Sequence, residues 1–229
     1  MSIRREDADP VRVMSELVAI DSVNLGPEIA DKVNPERKVV EYLERYLKRL
    51  GFATKRQPVR AGRCNLIARL PGVNRRKTFM LQGHMDTVGV SGISVPPFNV
   101  TLKGGRLFGR GSVDTKGVFA SYLAAVARIL RDGKRPAWDV VFAGNMGEET
   151  GCEGAIHLAN QGFKADACLV GEATFCKPMI AHKGSVWFSI STQGKTAHGS
   201  TPQLGINAIY RMRHVLQALE TVVPARLAQ

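Results

Sequence analysis

The chain has 229 residues, 44% hydrophobic and 23% charged, too apolar and too mixed in charge for intrinsic disorder. That length holds one large domain or two modest ones, at roughly 100–200 residues each, and no window approaches the roughly 18 consecutive apolar residues of a membrane span. The formal charge of +12 is spread along the sequence, with its densest run at Arg75-Arg76-Lys77, so it reads as a solvated basic surface. No helix-turn-helix, aromatic-basic or basic heptad pattern accompanies it, so nucleic acid is not an expected partner, and neither is a membrane. Four cysteines without CxxC pairing, and a start (Met1 to Asp7) without an apolar signal core, fit a reducing cytoplasm.

Asp9-Pro10 predicts the capped start of a helix through Ile20. Asn34-Pro35 predicts a second start, followed by an apolar face of Val39, Leu43, Tyr46, Leu47 and Leu50 ending at Gly51. Short β-like runs follow at Cys64–Leu70 and Thr78–Gln82, and Thr101–Arg110 reads as a hairpin turning at Gly104-Gly105. Val118–Leu130 reads as a helix, Trp138–Ala143 as a buried strand, Glu153–Asn160 as a helix and Ala167–Val170 as a strand. Alternation of strands and helices predicts an α/β domain with a mainly parallel sheet and flanking helices. After about Lys177 the pattern changes to a long strand, Ile180–Thr192, and an amphipathic helix, Ile206–Leu219. The expected division is therefore 1–177 and 178–229.

In an open α/β sheet, ligands bind beyond the carboxyl ends of the strands. Four segments place acids or a histidine there: Gly83-His84-Met85-Asp86, Gly109-Arg110-Gly111-Ser112-Val113-Asp114, Gly147-Glu148-Glu149-Thr150-Gly151 and Gly171-Glu172. Each has a plainer reading taken alone. His84-x-Asp86 could be a hydrogen-bonded loop, Asp114 a helix cap, Glu148-Glu149 an acidic turn and Glu172 a surface carboxylate. Converging on one sheet edge, their carboxylates would repel one another and call for a cation. Imidazole with carboxylates and no thiolate suits zinc, cobalt or manganese. Asp86 is placed to orient His84, and of the adjacent glutamates one can bind metal while the other takes a proton.

In order, Gly83-His84-Met85-Asp86-Thr87-Val88, Pro96-Pro97-Phe98, Gly109 to Gly117, Gly147 to Gly151 and Gly171-Glu172-Ala173-Thr174 resemble the M20 metallopeptidase family. This group includes acetylornithine deacetylase, succinyl-diaminopimelate desuccinylase, aminoacylase and glutamate carboxypeptidase. Ala181-His182-Lys183-Gly184, Gly194 to Pro202 and Gly205 to Ile209 resemble the start of its lid, or dimerisation, domain. The resemblance implies the N-terminal part of a zinc-peptidase-like catalytic domain plus the beginning of an α+β lid. It implies hydrolysis of the amide bond in N-acyl amino acids or small peptides, and a homodimer formed through the lid. It also implies two zinc ions, with cobalt or manganese as substitutes: His84 and Glu172 on one, Glu149 on the other, and Asp114 bridging, with a cis peptide after it. Asp86 would orient His84, Glu148 would be the general base, and His198 would donate to the carbonyl oxygen across the dimer interface.

The sequence departs from the family pattern at Gly147, where an aspartate often precedes the paired glutamates, and at Ala173, where proline is usual. A further zinc ligand of the family is a histidine near the end of a much longer chain. His157, His182 and His214 are poor substitutes, so hydrolysis by these residues alone is in doubt. The alternative is a non-catalytic homologue that binds metal or dimerises without turnover.

Overall fold

A computed structural model describes residues 3–184, 186 and 188–227. The helices are α1 (Pro10–Val18), α2 (Pro27–Val33), α3 (Arg37–Arg49), α4 (Lys116–Arg131), α5 (Glu153–Asn160) and α6 (Ala208–Leu227). The strands are β1 (Ala53–Arg60), β2 (Arg63–Leu70), β3 (Asn74–His84), β4 (Thr101–Lys103), β5 (Arg106–Phe108), β6 (Trp138–Asn145) and β7 (Ala167–Val170). The chain divides into two units, Met1–Pro178 and Met179–Gln229. Among the described residues, no helix is long and apolar enough to cross a membrane.

The first unit is built on a five-stranded sheet in the order β1-β2-β6-β3-β7. β3 runs parallel to both β6 and β7, whereas β2 is antiparallel to β6 and to β1. Four of the five strands therefore point one way and β2 alone is reversed, the mainly parallel α/β sheet expected from the sequence. β6 is buried along nearly its whole length, as a central strand flanked on both faces should be.

Helices α1, α3 and α4 share one buried cluster with the sheet. Leu17, Leu43, Leu47 and Phe119 meet Leu66, Leu81 and Phe142 there, and the Phe119 and Phe142 ring centroids are 5.1 Å apart. α1 starts as predicted, with the Asp9 carboxylate accepting the N–H groups of Val11 and Arg12. β4 and β5 form the predicted hairpin, and its turn needs Gly104 and Gly105, both at positive φ.

Several expectations are corrected. Asn34 does not begin α3 but ends the additional helix α2 in a left-handed conformation, and Glu36 precedes α3. β1 escapes the sequence because as an edge strand it is mostly polar: Thr54, Lys55, Arg56, Gln57 and Arg60 pair through backbone rather than by burial. Ile180–Thr192 forms no strand among its described residues, with Ser185 and Trp187 lying outside them. An extended segment becomes a strand only where a neighbour takes its N–H and C=O groups. In the second unit the one bridge described is Lys195 with Ile206. α6 runs past the expected Leu219 to Leu227, with Pro224 inside and none of its residues buried.

Candidate metal centre

The register of the parallel strands sets the site. Gln82 of β3 lies opposite Ala143 of β6 and Val170 of β7; β3 and β6 end together at His84 and Asn145, and β7 stops two residues short of them. His84 ends β3, Glu148 and Glu149 follow β6, and Glu172 follows β7 by two residues. With adjacent strands about 4.8 Å apart, side chains leaving those ends can meet. Asp114 arrives from another direction, in the turn before α4, and its peptide bond to Thr115 is cis.

His84 is the hub, almost fully buried. Its Nε2 is 2.8 Å from Asp114 Oδ1, 3.9 Å from Glu148 Oε2 and 4.0 Å from Glu172 Oε1. Ligand-capable atoms of His84, Asp114 and Glu172 all lie within 4.8 Å of one another, and so do those of His84, Glu148 and Glu149. Two candidate clusters thus share one imidazole.

The Nδ1 of His84 faces the backbone oxygen of Asp86 at 2.9 Å, with the Asp86 carboxylate farther off at 3.5 Å. A carbonyl oxygen only accepts, so Nδ1 keeps its proton and Nε2 of the neutral ring is left for a cation. The sequence expected the Asp86 side chain to orient the ring, but its main chain provides the shorter contact. The carboxylate is engaged elsewhere. It accepts from the Asn24 amide at 2.8 Å and from the backbone N–H groups of Glu148 and Glu149 at 3.1 and 3.2 Å.

Electrostatics point to a missing positive charge. Burial opposes charging of His84, but its bonds to Asp114 and Asp86 outweigh that and push its pKa up to about 11. Glu149 is raised to about 7, first by burial and then by the repulsion of Asp114, Asp86 and Glu148 against the pull of His84. Burial likewise raises Glu172, with Asp114 and Glu148 adding to it. Carboxylates so crowded are relieved by a divalent ion, and a donor set of one imidazole nitrogen and carboxylate oxygens fits zinc, cobalt or manganese.

Of the residues singled out from the sequence, His84, Asp86, Asp114, Glu148, Glu149 and Glu172 come together. His198 lies in the second unit, where its Nδ1 accepts the Ser200 N–H at 3.2 Å and stands 2.8 Å from the Ser200 hydroxyl. His157 is half-buried on α5, and His182 and His214 are exposed in the second unit. Sequence reasoning missed Asn24 and Thr115. Thr115 donates its hydroxyl to the His84 carbonyl at 2.8 Å. Nothing in the local spacing points to either contact, since each residue acts on a partner dozens of residues away.

A histidine-and-carboxylate cluster at the carboxyl edge of an α/β sheet defines a candidate metal centre. Residues 80–184 match peptidase family M20/M25/M40 and residues 180–222 match the peptidase dimerisation domain. The chain belongs to the M20 peptidase family. It is 35% identical over 212 residues to an acetylornithine deacetylase of Vibrio campbellii, covering 91% of this chain and 54% of the relative. It is 31% identical over 208 residues to a probable succinyl-diaminopimelate desuccinylase of Staphylococcus epidermidis, covering 89% and 49%. The chain thus spans about half the length of the curated relatives it matches. Among solved structures, a tripeptidase of Staphylococcus aureus is 22% identical with a TM-score of 0.64, covering 94% of this chain and 57% of that one. Aminopeptidase PepT of Bacillus cereus is 24% identical with a TM-score of 0.60, covering 89% and 54%. At those identities the likeness is one of fold.

Proposed function

We propose that this chain carries the metal-binding part of a zinc-dependent amidohydrolase that acts on N-acyl amino acids or small peptides. One observation carries the reading: His84, Asp114 and Glu172 present ligand atoms within 4.8 Å of one another, beside a second group formed by the same His84 with Glu148 and Glu149. Similarity to an acetylornithine deacetylase and a probable desuccinylase supports an acylated amino acid as substrate.

His84 and Glu172 would hold one ion and Glu149 a second, with Asp114 as a carboxylate available to either. Bound zinc, or cobalt or manganese in its place, supplies a Lewis acid for the amide carbonyl and hydroxide near neutral pH. Glu148 is half-exposed and has no Lys or Arg partner among the described residues, with His84 Nε2 at 3.9 Å, so it can take a proton from attacking water and pass it to the leaving amine. His198 donates to the carbonyl oxygen as negative charge develops there, an effect worth about 3 kcal/mol per donor. The Ser200 N–H on Nδ1 supports that role, because it leaves the neutral ring's proton on Nε2. The match of residues 180–222 to the peptidase dimerisation domain supports a homodimer, through which His198 would reach a partner's site. The setting is the cytoplasm, with neither nucleic acid nor membrane as partner.

The test is release of ornithine from N-acetylornithine by the purified chain with and without added zinc. Zinc-dependent release supports hydrolysis. Zinc binding without any release favours the alternative, a homologue that binds metal but does not turn over. Failure to bind zinc overturns the metal centre itself.

A further inference from the structure

Four consecutive backbone N–H groups run through the segment that presents the paired glutamates, and each is taken by a buried side chain from elsewhere in the chain. The Met146 N–H donates to Asn65 Oδ1 at 3.1 Å and the Gly147 N–H to Glu36 Oε1 at 3.1 Å. Those of Glu148 and Glu149 go to the two oxygens of Asp86. Asn65, Glu36 and Asp86 are each 0–1% exposed. Asn65 also closes the far end of the loop, because its amide nitrogen donates to the Gly154 carbonyl at 2.8 Å. A side-chain amide can accept at one end of a loop with its oxygen and donate at the other with its nitrogen.

Glu36 is itself immobilised. Fully buried Arg63 donates to it twice, at 3.0 Å from Nε and 2.5 Å from Nη2, and reaches Asp31 at 3.3 Å with Nη1. A buried, doubly bonded pair of this kind is costly to assemble and favours one geometry over others. Gly147 completes the arrangement. It sits at φ +65°, and a Cβ there would lie 3.3 Å from Glu153 Oε2 and 3.4 Å from Arg63 Nη2. The family's usual aspartate at this position would strain the backbone and crowd the Arg63 head.

We infer that Asn65 and Glu36, the latter fixed by Arg63, are positioning residues that with Asp86 clamp the Met146–Glu149 backbone and so set where Glu148 and Glu149 stand. The inference rests on the proposed metal reading for its consequence, but not for the clamp itself. Adjacent carboxylates facing Asp114 and Glu172 repel, and a free loop would swing them apart. Holding each amide in turn removes that freedom before any ion arrives. Neither Asn65 nor Glu36 touches substrate or metal in this scheme.

The test has two arms on the purified chain. In metal-free protein, amide hydrogen exchange by NMR is expected to show Met146 to Glu149 protected in the parent. Protection there should fall at least roughly tenfold in Asn65→Ala, while that of the β6 amides is unchanged. Exchange of those four amides at open-loop rates in the parent overturns the clamp. In the second arm, zinc is titrated against a chromophoric chelator. Asn65→Ala and, independently, Gly147→Ala are expected to weaken the ion held by Glu149 by roughly 10–100-fold. The ion held by His84, Asp114 and Glu172 should change by less than about threefold, a selectivity that general loss of structure would not produce. Equal affinities for both ions in folded variants overturn the positioning role. Protected amides in a parent that binds no zinc overturn the metal reading and leave the clamp standing.

Discussion

Nε2 of His84 stands 2.8 Å from Oδ1 of Asp114, two residues separated by 30 positions in the chain. With Nδ1 on the Asp86 carbonyl, both ring nitrogens face acceptors, and a divalent ion at Nε2 would take the place of a proton. Zinc is therefore expected to stabilise the chain, by about 2.7 kcal/mol at a hundred times its Kd. Thermal unfolding with zinc, and again after a chelator, measures this. His84→Ala should reduce the zinc-dependent rise in Tm, and a rise of parental size in that variant would remove His84 from the ligand set.

The Glu148 carboxylate accepts the Cys152 thiol at 3.6 Å, and its backbone bonds survive replacement by alanine. Glu148→Ala, made in a full-length homologous family member, is expected to keep its zinc and lose about 10²–10⁴-fold in kcat. Zinc content by atomic absorption and steady-state hydrolysis measure the two effects. Undiminished turnover would dismiss it as the base.

Asp86 serves three donors at once, so its removal should be felt in stability as well as in metal binding. Asp86→Ala leaves the Asn24 amide and two backbone N–H groups without their acceptor, at a cost of at least about 3 kcal/mol. Asp86→Asn retains one oxygen and should cost less. Urea midpoints of the two variants provide the comparison, and equal losses would contradict the assignment.

The buried Arg63–Glu36 pair predicts an asymmetry. Arg63→Met orphans a buried carboxylate and is expected to cost about 3–5 kcal/mol. Adding Glu36→Gln neutralises that carboxylate yet keeps an oxygen for the Gly147 N–H, so the double variant should recover most of the loss. Chemical denaturation of the parent, single and double variants checks it.

Far from the metal centre, Asp7 governs part of the acid response. Burial disfavours its charge, but bonds from the Arg4 backbone and from the Arg4 and Arg49 side chains outweigh that and hold its pKa below the ordinary aspartate value. A folded pKa below the unfolded one gives stability that is full above the unfolded value and lost as pH falls through the folded value. Asp7→Asn should therefore be less stable than the parent at pH 6, and the difference should shrink as pH falls below the ordinary aspartate range. Urea unfolding at several pH values tests the convergence.

Much of this molecule is legible along the chain. The apolar periodicity of Val39 to Leu50 reports a helix face whatever lies beneath it, and the Asp9-Pro10 cap works through bonds two or three residues away. Elements whose stability comes from elsewhere are harder to read. β1 is polar and exists because β2 offers it a register, and Asn34 closes one helix where the sequence suggested that it opens another. Motif spacing put His84, Asp114, Glu148, Glu149 and Glu172 on the list of candidates, since each sits at the end of a readable strand or before a readable helix.

What the sequence determined by itself was the supply of chemistry: one imidazole and a set of carboxylates at strand ends, in the order of a known family. Only the tertiary structure decided which oxygen faces Nδ1 of His84, and that Glu36, Asn65 and Asp86 hold the site's backbone. The reason is range. Helix periodicity and caps are interactions among near neighbours and leave a trace in local spacing. A buried hydrogen bond between Asn65 and Met146 joins positions 81 residues apart, and it exists only after strand order and register have brought them within 3.1 Å.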